Sequence, residues 1–195
     1  MGERYVAPIL RRFAMQHPGL SIELDLTNRV VDLVGEGYDL AIRTGQMPDS
    51  GLIRTRVGSR ALLTCVAPAY LNDAPALDTI EHLKSHACLL GSASNWHFKD
   101  SHGQAVEFKP SGRWRCNNGN GVLEAAMAGM GVCQLPEFYV LPALRSGALI
   151  EVLTDFRPAE EPIWAVYPQR RHLLPKVRGA VSLLKRELAA AIAQP

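Results

Sequence analysis

Long apolar runs are missing from this chain: nowhere do its 195 residues approach the roughly 18 apolar positions in a row that a bilayer-spanning helix needs. An excess of one charge is missing too. A net charge of +2 provides neither a nucleic-acid surface nor a polybasic membrane patch. Cysteines are few and scattered. Cys65, Cys88, Cys116 and Cys133 sit in apolar or strand-like contexts, and no C-x-x-C pair offers zinc a site. The pattern suits buried thiols in a reduced, cytoplasmic protein. The start, MGERYVAPILRRF, does not read as a secretory signal, because Arg11 and Arg12 interrupt any apolar core. Internal repeats and low-complexity tracts are absent as well.

What is present is the composition of an ordinary globular protein, 47% hydrophobic and 21% charged, at a length that suits one large domain or two small ones. Tyr5, Val6, Ile9, Leu10 and Phe13 share a helical face that Pro18-Gly19 closes. In Leu20 to Gly45, Ser21, Glu23 and Asp25 alternate with Ile22, Leu24 and Leu26, the period of a half-buried strand. Arg29 to Glu36 then predicts a two-turn helix stopped by Gly37, and Asp39 to Arg43 a second strand. Two strands joined this way are parallel, with ligands expected at their carboxyl ends, Thr27-Asn28 and Thr44-Gly45.

Met47 to Gly51 reads as a loop and Leu52 to Ala67 as extended. From Pro68 to Glu161, short helices (Thr79 to Ser85, Val122 to Gly129, Glu137 to Arg145) alternate with short strands (88–90, 106–108, 113–116, 132–135, 149–153). Pro162 opens the strand IWAVY, and the last helix lines up Val177, Val181, Leu184, Leu188 and Ala191. The fold class expected is α/β in two Rossmann-like lobes, residues 1–67 with 162–195 and residues 68–161. Such double-crossed folds hold a small ligand between lobes.

The segments VVDLVGEGYDLAIRTG (30–45), LIRTRVGSRALLTCVAPAYL (52–71), HLKSHACL (82–89), NNGNGVLEAAMAGMGVCQLPEFYV (117–140) and PQRRHLLPKVRGAVSLLKREL (168–188) resemble the effector-binding domain of LysR-type transcriptional regulators. That resemblance spans essentially the whole chain and implies a fold like that of type 2 periplasmic solute-binding proteins. It implies a cytoplasmic sensor of a small metabolite, a head-to-tail homodimer or higher oligomer, and DNA contact only through a helix-turn-helix domain that this chain does not contain. No catalysis, cofactor, metal or membrane is implied. The family's domain also opens with a strand before the first helix, whereas this chain starts at or just after it. The first strand of lobe I is therefore missing from the pattern, which predicts a gap in that sheet with poor solubility alone, or compensation by a partner or a rearrangement.

The resemblance places Thr27 in the effector cleft, although Thr27 and Asn28 also suit a plain helix cap. Thr44 and Gly45 follow a buried strand, and Arg43 suits a carboxylate partner or a snorkelling strand end. Asn117 and Asn118 precede a helix, Asn118 as its cap, with amides that suit a carboxylate. Gln134 and Pro136 end a strand that the resemblance sets beside the cleft, and Asn95 and Trp96 are weaker candidates on a polar loop. Tyr5, Ile9, Arg12, Leu123 and Met127 are the implied dimer contacts.

Other patterns read as structural. His82 and His86 have metal-sharing spacing but no third ligand, so both are expected at the surface. Arg113-Trp114-Arg115 resembles base-stacking chemistry, yet strand alternation predicts a buried Trp114 between solvated arginines. Trp164 is assigned to the core and Glu160-Glu161 to solvated surface. Glu124 stands where a dinucleotide fingerprint has its third glycine, and Ser92 and Ser94 lack a nucleophile elbow. A transport solute-binding protein is the alternative reading; an enzyme with the same cleft lacks a catalytic constellation.

Overall fold

The computed structural model describes residues 1–47, 51–172 and 174–193. The chain divides into two units, Met1–Arg60 with Glu161–Pro195, and Ala61–Glu160. The first crossing therefore falls after Arg60 and not near Ala67, because the apolar strand Leu62–Val66 pairs inside the second unit. Most of the loop expected at 47–51 lies outside the described residues.

In the first unit, a π-helical turn Gly2–Val6, in which the Ala7 amide reaches back to the Gly2 carbonyl, leads into α1 (Ala7–Gln16), with Pro8 in the first turn of α1. Tyr5, Val6, Ile9, Leu10 and Phe13 are buried, and α1 packs against α5 (Pro175–Ala193). Gly179 makes that approach possible, since a Cβ there would lie 2.9 Å from the Phe13 ring. The sheet is antiparallel, β1 (Ala41–Thr44) and β2 (Leu52–Arg60) flanking β10 (Glu161–Pro168), with a bulge at Ile163/Trp164. Ile163, Ala165 and Val166 of β10 are wholly buried.

The parallel crossover expected over Leu20 to Gly45 does not form. Leu20 to Val31 is irregular chain with no ladder partner among the described residues. A period-2 pattern stabilises a strand only when a neighbour takes up its backbone groups. Ile22, Leu24, Leu26 and Val30 remain 38%, 41%, 55% and 79% exposed. The helix expected at Arg29 to Glu36 is replaced by a turn at Leu33–Glu36. Asp32 Oδ1 accepts from the amides of Val34 and Gly35, both at 3.1 Å, and Arg29 grips Glu36 through both carboxylate oxygens at 2.8 and 2.6 Å. Asp and Glu side chains thus capture backbone and guanidinium donors locally, in competition with the helix.

The second unit holds a mixed sheet in the order β7 (Trp114–Arg115), β4 (Cys88–Leu90), β8 (Val132–Pro136), β3 (Leu62–Val66), β9 (Ile150–Glu151). Alternate residues enter two cores. Leu63, Cys65, Leu89, Cys133 and Leu135 face α3 (Gly119–Met127) and α4 (Glu137–Arg145). Val66, Cys88, Leu90 and Val132 join Leu83, Trp96, Phe98 and Phe108 on the other side. That second layer includes the hairpin β5 (Trp96–Lys99) and β6 (Ala105–Phe108), after a short helix α2 (Pro68–Leu71) and a 3-10 segment Ile80–Ser85.

Three burial expectations are corrected. Trp114 is 39% exposed, on β7, a two-residue strand at the edge of its sheet. His86 is buried, its ring nitrogens 3.3 Å from Tyr70 Oη and 3.4 Å from the Ala76 carbonyl. Glu161 is not solvated surface: it is half-buried in an ion pair with Arg60.

Candidate functional site

The expected site residues fall into both units. In the first, Thr44 ends β1 opposite Ile163, and Gly45 continues with its amide donating to the Pro162 carbonyl at 3.0 Å. Gly45 has φ +81°, a left-handed conformation that glycine adopts without steric cost. Its carbonyl accepts the Trp164 indole N–H at 3.1 Å, which leaves Trp164 half-buried on the sheet instead of deep in the core. Arg43 donates to the Val31 carbonyl at 2.7 Å and so anchors the irregular segment to β1. Thr27 and Asn28 are exposed and start no helix. Thr27 Oγ1 accepts from the Arg29 amide at 3.2 Å, a local bend cap.

In the second unit, Asn118 is the N-cap of α3, its Oδ1 accepting from the Asn120 amide at 2.8 Å. Gly119 admits the Tyr139 ring against the first turn, where a Cβ would lie 2.5 Å from it. Asn117 and Asn118 are exposed. Gln134 is engaged at both ends of its amide: Oε1 accepts from the His97 amide at 3.0 Å, and Nε2 donates to the His97 carbonyl at 2.8 Å. Its Nε2 also lies 3.4 Å from Thr64 Oγ1. The Gln134 side chain therefore ties hairpin β5–β6 to the sheet, and Trp96 is buried by the same arrangement. Pro136 is buried, pairing with Leu62 where β8 turns into α4. Asn95 donates to Glu107 at 2.7 Å across the hairpin.

Of the expected dimer residues, Tyr5 and Ile9 are 5% and 1% exposed within the first unit and offer no face to a partner. Arg12 is exposed and pairs with Glu187 at 2.7 Å, and that contact holds the Glu187 carboxyl below its ordinary range. Leu123 and Met127 are half-buried on α3.

Two open grooves of about 520 and 510 Å³ lie elsewhere, one lined by Val34, Leu52, Pro168 and Arg170, the other between α1 and the stretch with Ile22 and Leu24. Neither includes an expected site residue. No cluster of metal-ligating side chains occurs among the described residues. Burial raises the thiols of Cys65 and Cys88, and pushes Cys133 up to about 12, so none of the three is a ready nucleophile.

Sequence reasoning missed two charge arrangements. Asp39 receives Arg171 at 3.1 Å and Lys176 at 2.6 Å, which pins the chain ahead of β1 to the start of α5. Arg60 donates through Nε and Nη2 to Glu161 Oε2 at 3.0 and 2.7 Å. Their partners lie over a hundred residues away, and no local pattern announces them; only the opposite charges at the ends of two extended runs hint at the second.

Both units thus combine sheet and helices, with small polar residues at strand ends and a capped helix N-terminus in the second. The chain belongs to the LysR substrate binding domain family, whose model matches residues 1–189. It is 36% identical over 182 residues to an uncharacterized HTH-type transcriptional regulator of Haemophilus influenzae, covering 91% of this chain and 63% of that protein. It is 30% identical over 189 residues to the HTH-type transcriptional activator TtdR of Escherichia coli, covering 94% and 60%. The chain thus spans less than two thirds of the length of these relatives. The full-length Vibrio cholerae virulence activator AphB, a member of the LTTR protein family, superposes with a TM-score of 0.80 at 27% identity over 96% of this chain and 65% of that one. The regulatory domain of CrgA from Neisseria meningitidis does so with 0.77 at 25%, covering 97% and 94%. The fold is accordingly that of LysR-type regulatory domains, and these relatives lend nothing to the solute-transport alternative. No helix among the described residues is long and apolar enough to cross a membrane.

Proposed function

We propose that this chain is the effector-sensing part of a LysR-type transcriptional regulator, binding a small polar metabolite and passing its occupancy to a DNA-binding domain outside this chain. The observation that carries the reading is the family match over residues 1–189, beside the similarity to HTH-type regulators over more than nine tenths of the chain. The residues proposed to touch the effector are Thr27, Asn28, Thr44, Gly45, Asn117 and Asn118. Gln134 and Pro136 position the hairpin and the β8 end instead of contacting ligand, since the amide of Gln134 is already engaged and Pro136 is buried. The contact set has no net charge, while the capped N-terminus of α3 presents amides to an anion. A small carboxylate is therefore the effector class this surface favours. Such a ligand shifts a regulator only through unequal affinity for its conformations.

A thermal-shift screen of small carboxylates beside their amides tests the reading. A ligand at a hundred times its Kd stabilises by about 2.7 kcal/mol, and Thr44→Val should reduce that shift while leaving the unliganded melting temperature in place. Unchanged affinity in Thr44→Val and Thr27→Val would misplace the site. We also propose a cytoplasmic homodimer through the surface parts of the expected interface, Arg12 on α1 and Leu123 and Met127 on α3. Met127→Glu should then weaken dimerisation in a sedimentation concentration series.

A further inference from the structure

We propose that Arg60 and Glu161 form a latch across the double crossing of the chain. The chain leaves its first unit after Arg60 and re-enters it at Glu161, and these two residues are also the last register pair of β2 with β10. Both donors of the pair, Nε and Nη2 of Arg60, converge on one oxygen, Oε2 of Glu161, at 3.0 and 2.7 Å. The side chains are only 21% and 17% exposed, so solvent screens the pair less than a surface one. Removing one partner would leave a half-buried charge uncompensated.

The first crossing has no slack. A single residue, Ala61, separates β2 from β3, and Glu137 holds it within the second unit: its amide donates to the Ala61 carbonyl at 3.0 Å, and its Oε1 accepts from the Ala61 amide at 3.5 Å. Two carboxylates thus bracket one peptide, Glu161 through the preceding guanidinium and Glu137 through the backbone. The second crossing is tied to β1 by the Gly45 amide on the Pro162 carbonyl, and the other Glu161 oxygen, Oε1, lies 3.8 Å from where a Gly45 Cβ would be. The strand end that Proposed function assigns to the effector therefore adjoins the latch. Only that link to ligand rests on the earlier reading; the latch itself does not.

Amide hydrogen exchange on the whole chain tests it without a ligand, comparing wild type with Arg60→Met, Glu161→Gln and the exchanged pair Arg60→Glu/Glu161→Arg. Each single variant should speed exchange at Ala61, Leu62 and Ile163 about tenfold, equivalent to about 1.4 kcal/mol of opening free energy, with α5 and β8 unchanged. The exchanged pair should return to within about twofold of wild type. Unchanged exchange in the single variants, or an exchanged pair as fast as they are, would overturn the latch. Glu161→Gln is isosteric and carries the test alone if Arg60→Met does not fold. A failed carboxylate screen would remove the effector assignment and leave the latch standing, whereas silent exchange data would do the reverse.

Discussion

Replacing Ile22, Leu26 and Val30 together by threonine probes the stretch that has no ladder partner among the described residues. In the isolated chain these residues are 38%, 55% and 79% exposed. Full burial of such a side chain contributes about 1.5–3 kcal/mol, and threonine keeps one methyl group. The portion already buried therefore puts the loss of stability at about 1–2 kcal/mol for all three, a fall of roughly 2–8 °C in melting temperature for a chain of this size. Ile9→Ala, at a residue 1% exposed, should by itself cost about 2–5 kcal/mol. Self-association should respond the other way in proportion. If the exposed portions are what aggregates, removing them weakens association by about 2–3 kcal/mol, on the order of 100-fold. Sedimentation velocity over a concentration series, paired with thermal melts, reads both quantities. A wild-type chain that stays monomeric throughout would refute the reasoning. So would a triple variant that melts as low as Ile9→Ala, because these side chains would then be buried in solution.

Gly131→Ala should destabilise by several kcal/mol in urea titration, since a Cβ there would sit 2.1 Å from the Ala87 carbonyl oxygen that accepts the Val132 amide, whereas Gly129→Ala meets no atom within 4 Å and costs only its left-handed φ of +74°. The Arg29 hydrogen bonds, with the Asp32 amide second, lower the Glu36 carboxyl from 4.5 to about 2. The ordering this provides is present above the unfolded pKa near 4.5 and is lost as pH falls towards 2. The NMR shift of the Asp32 amide, which donates to Glu36 Oε1 at 2.9 Å, should follow that window, and a midpoint at an ordinary glutamate value would contradict it. Ellman's reagent at mildly alkaline pH should modify Cys116 in the native chain while Cys65, Cys88 and Cys133 wait for denaturant, because burial both raises and covers those three thiols. Rapid reaction of more than one native thiol would show that the core opens.

The second unit was largely legible because each of its signals is local and they agree. Glu137–Arg145 begins just after Pro136, and its apolar spacing matches the helix found. The alternation in 132–135 sends Val132 to one core and Cys133 and Leu135 to the other, as a two-sided sheet requires. Leu20 to Gly45 misled because alternation reports what a strand would bury, not whether a neighbour exists to pair with it. The same residues also hold local competitors: Asp32 closes a turn on Val34 and Gly35, and Glu36 takes Arg29, so the helix pattern of Val30, Val31, Leu33 and Val34 loses to side-chain bonds. At the candidate site, residue identity was legible and role was not. Gln134 has the chemistry of a ligand contact, yet His97, 37 positions away, occupies both ends of its amide. Glu161 reads as loop surface until β10 brings it beside Arg60, 101 positions earlier. In both cases a polar side chain at a strand end is held by a partner distant in sequence. Substitutions at Gln134 and Glu161 should therefore alter hairpin and crossing dynamics even without effector, whereas Thr44→Val should act only when effector is present.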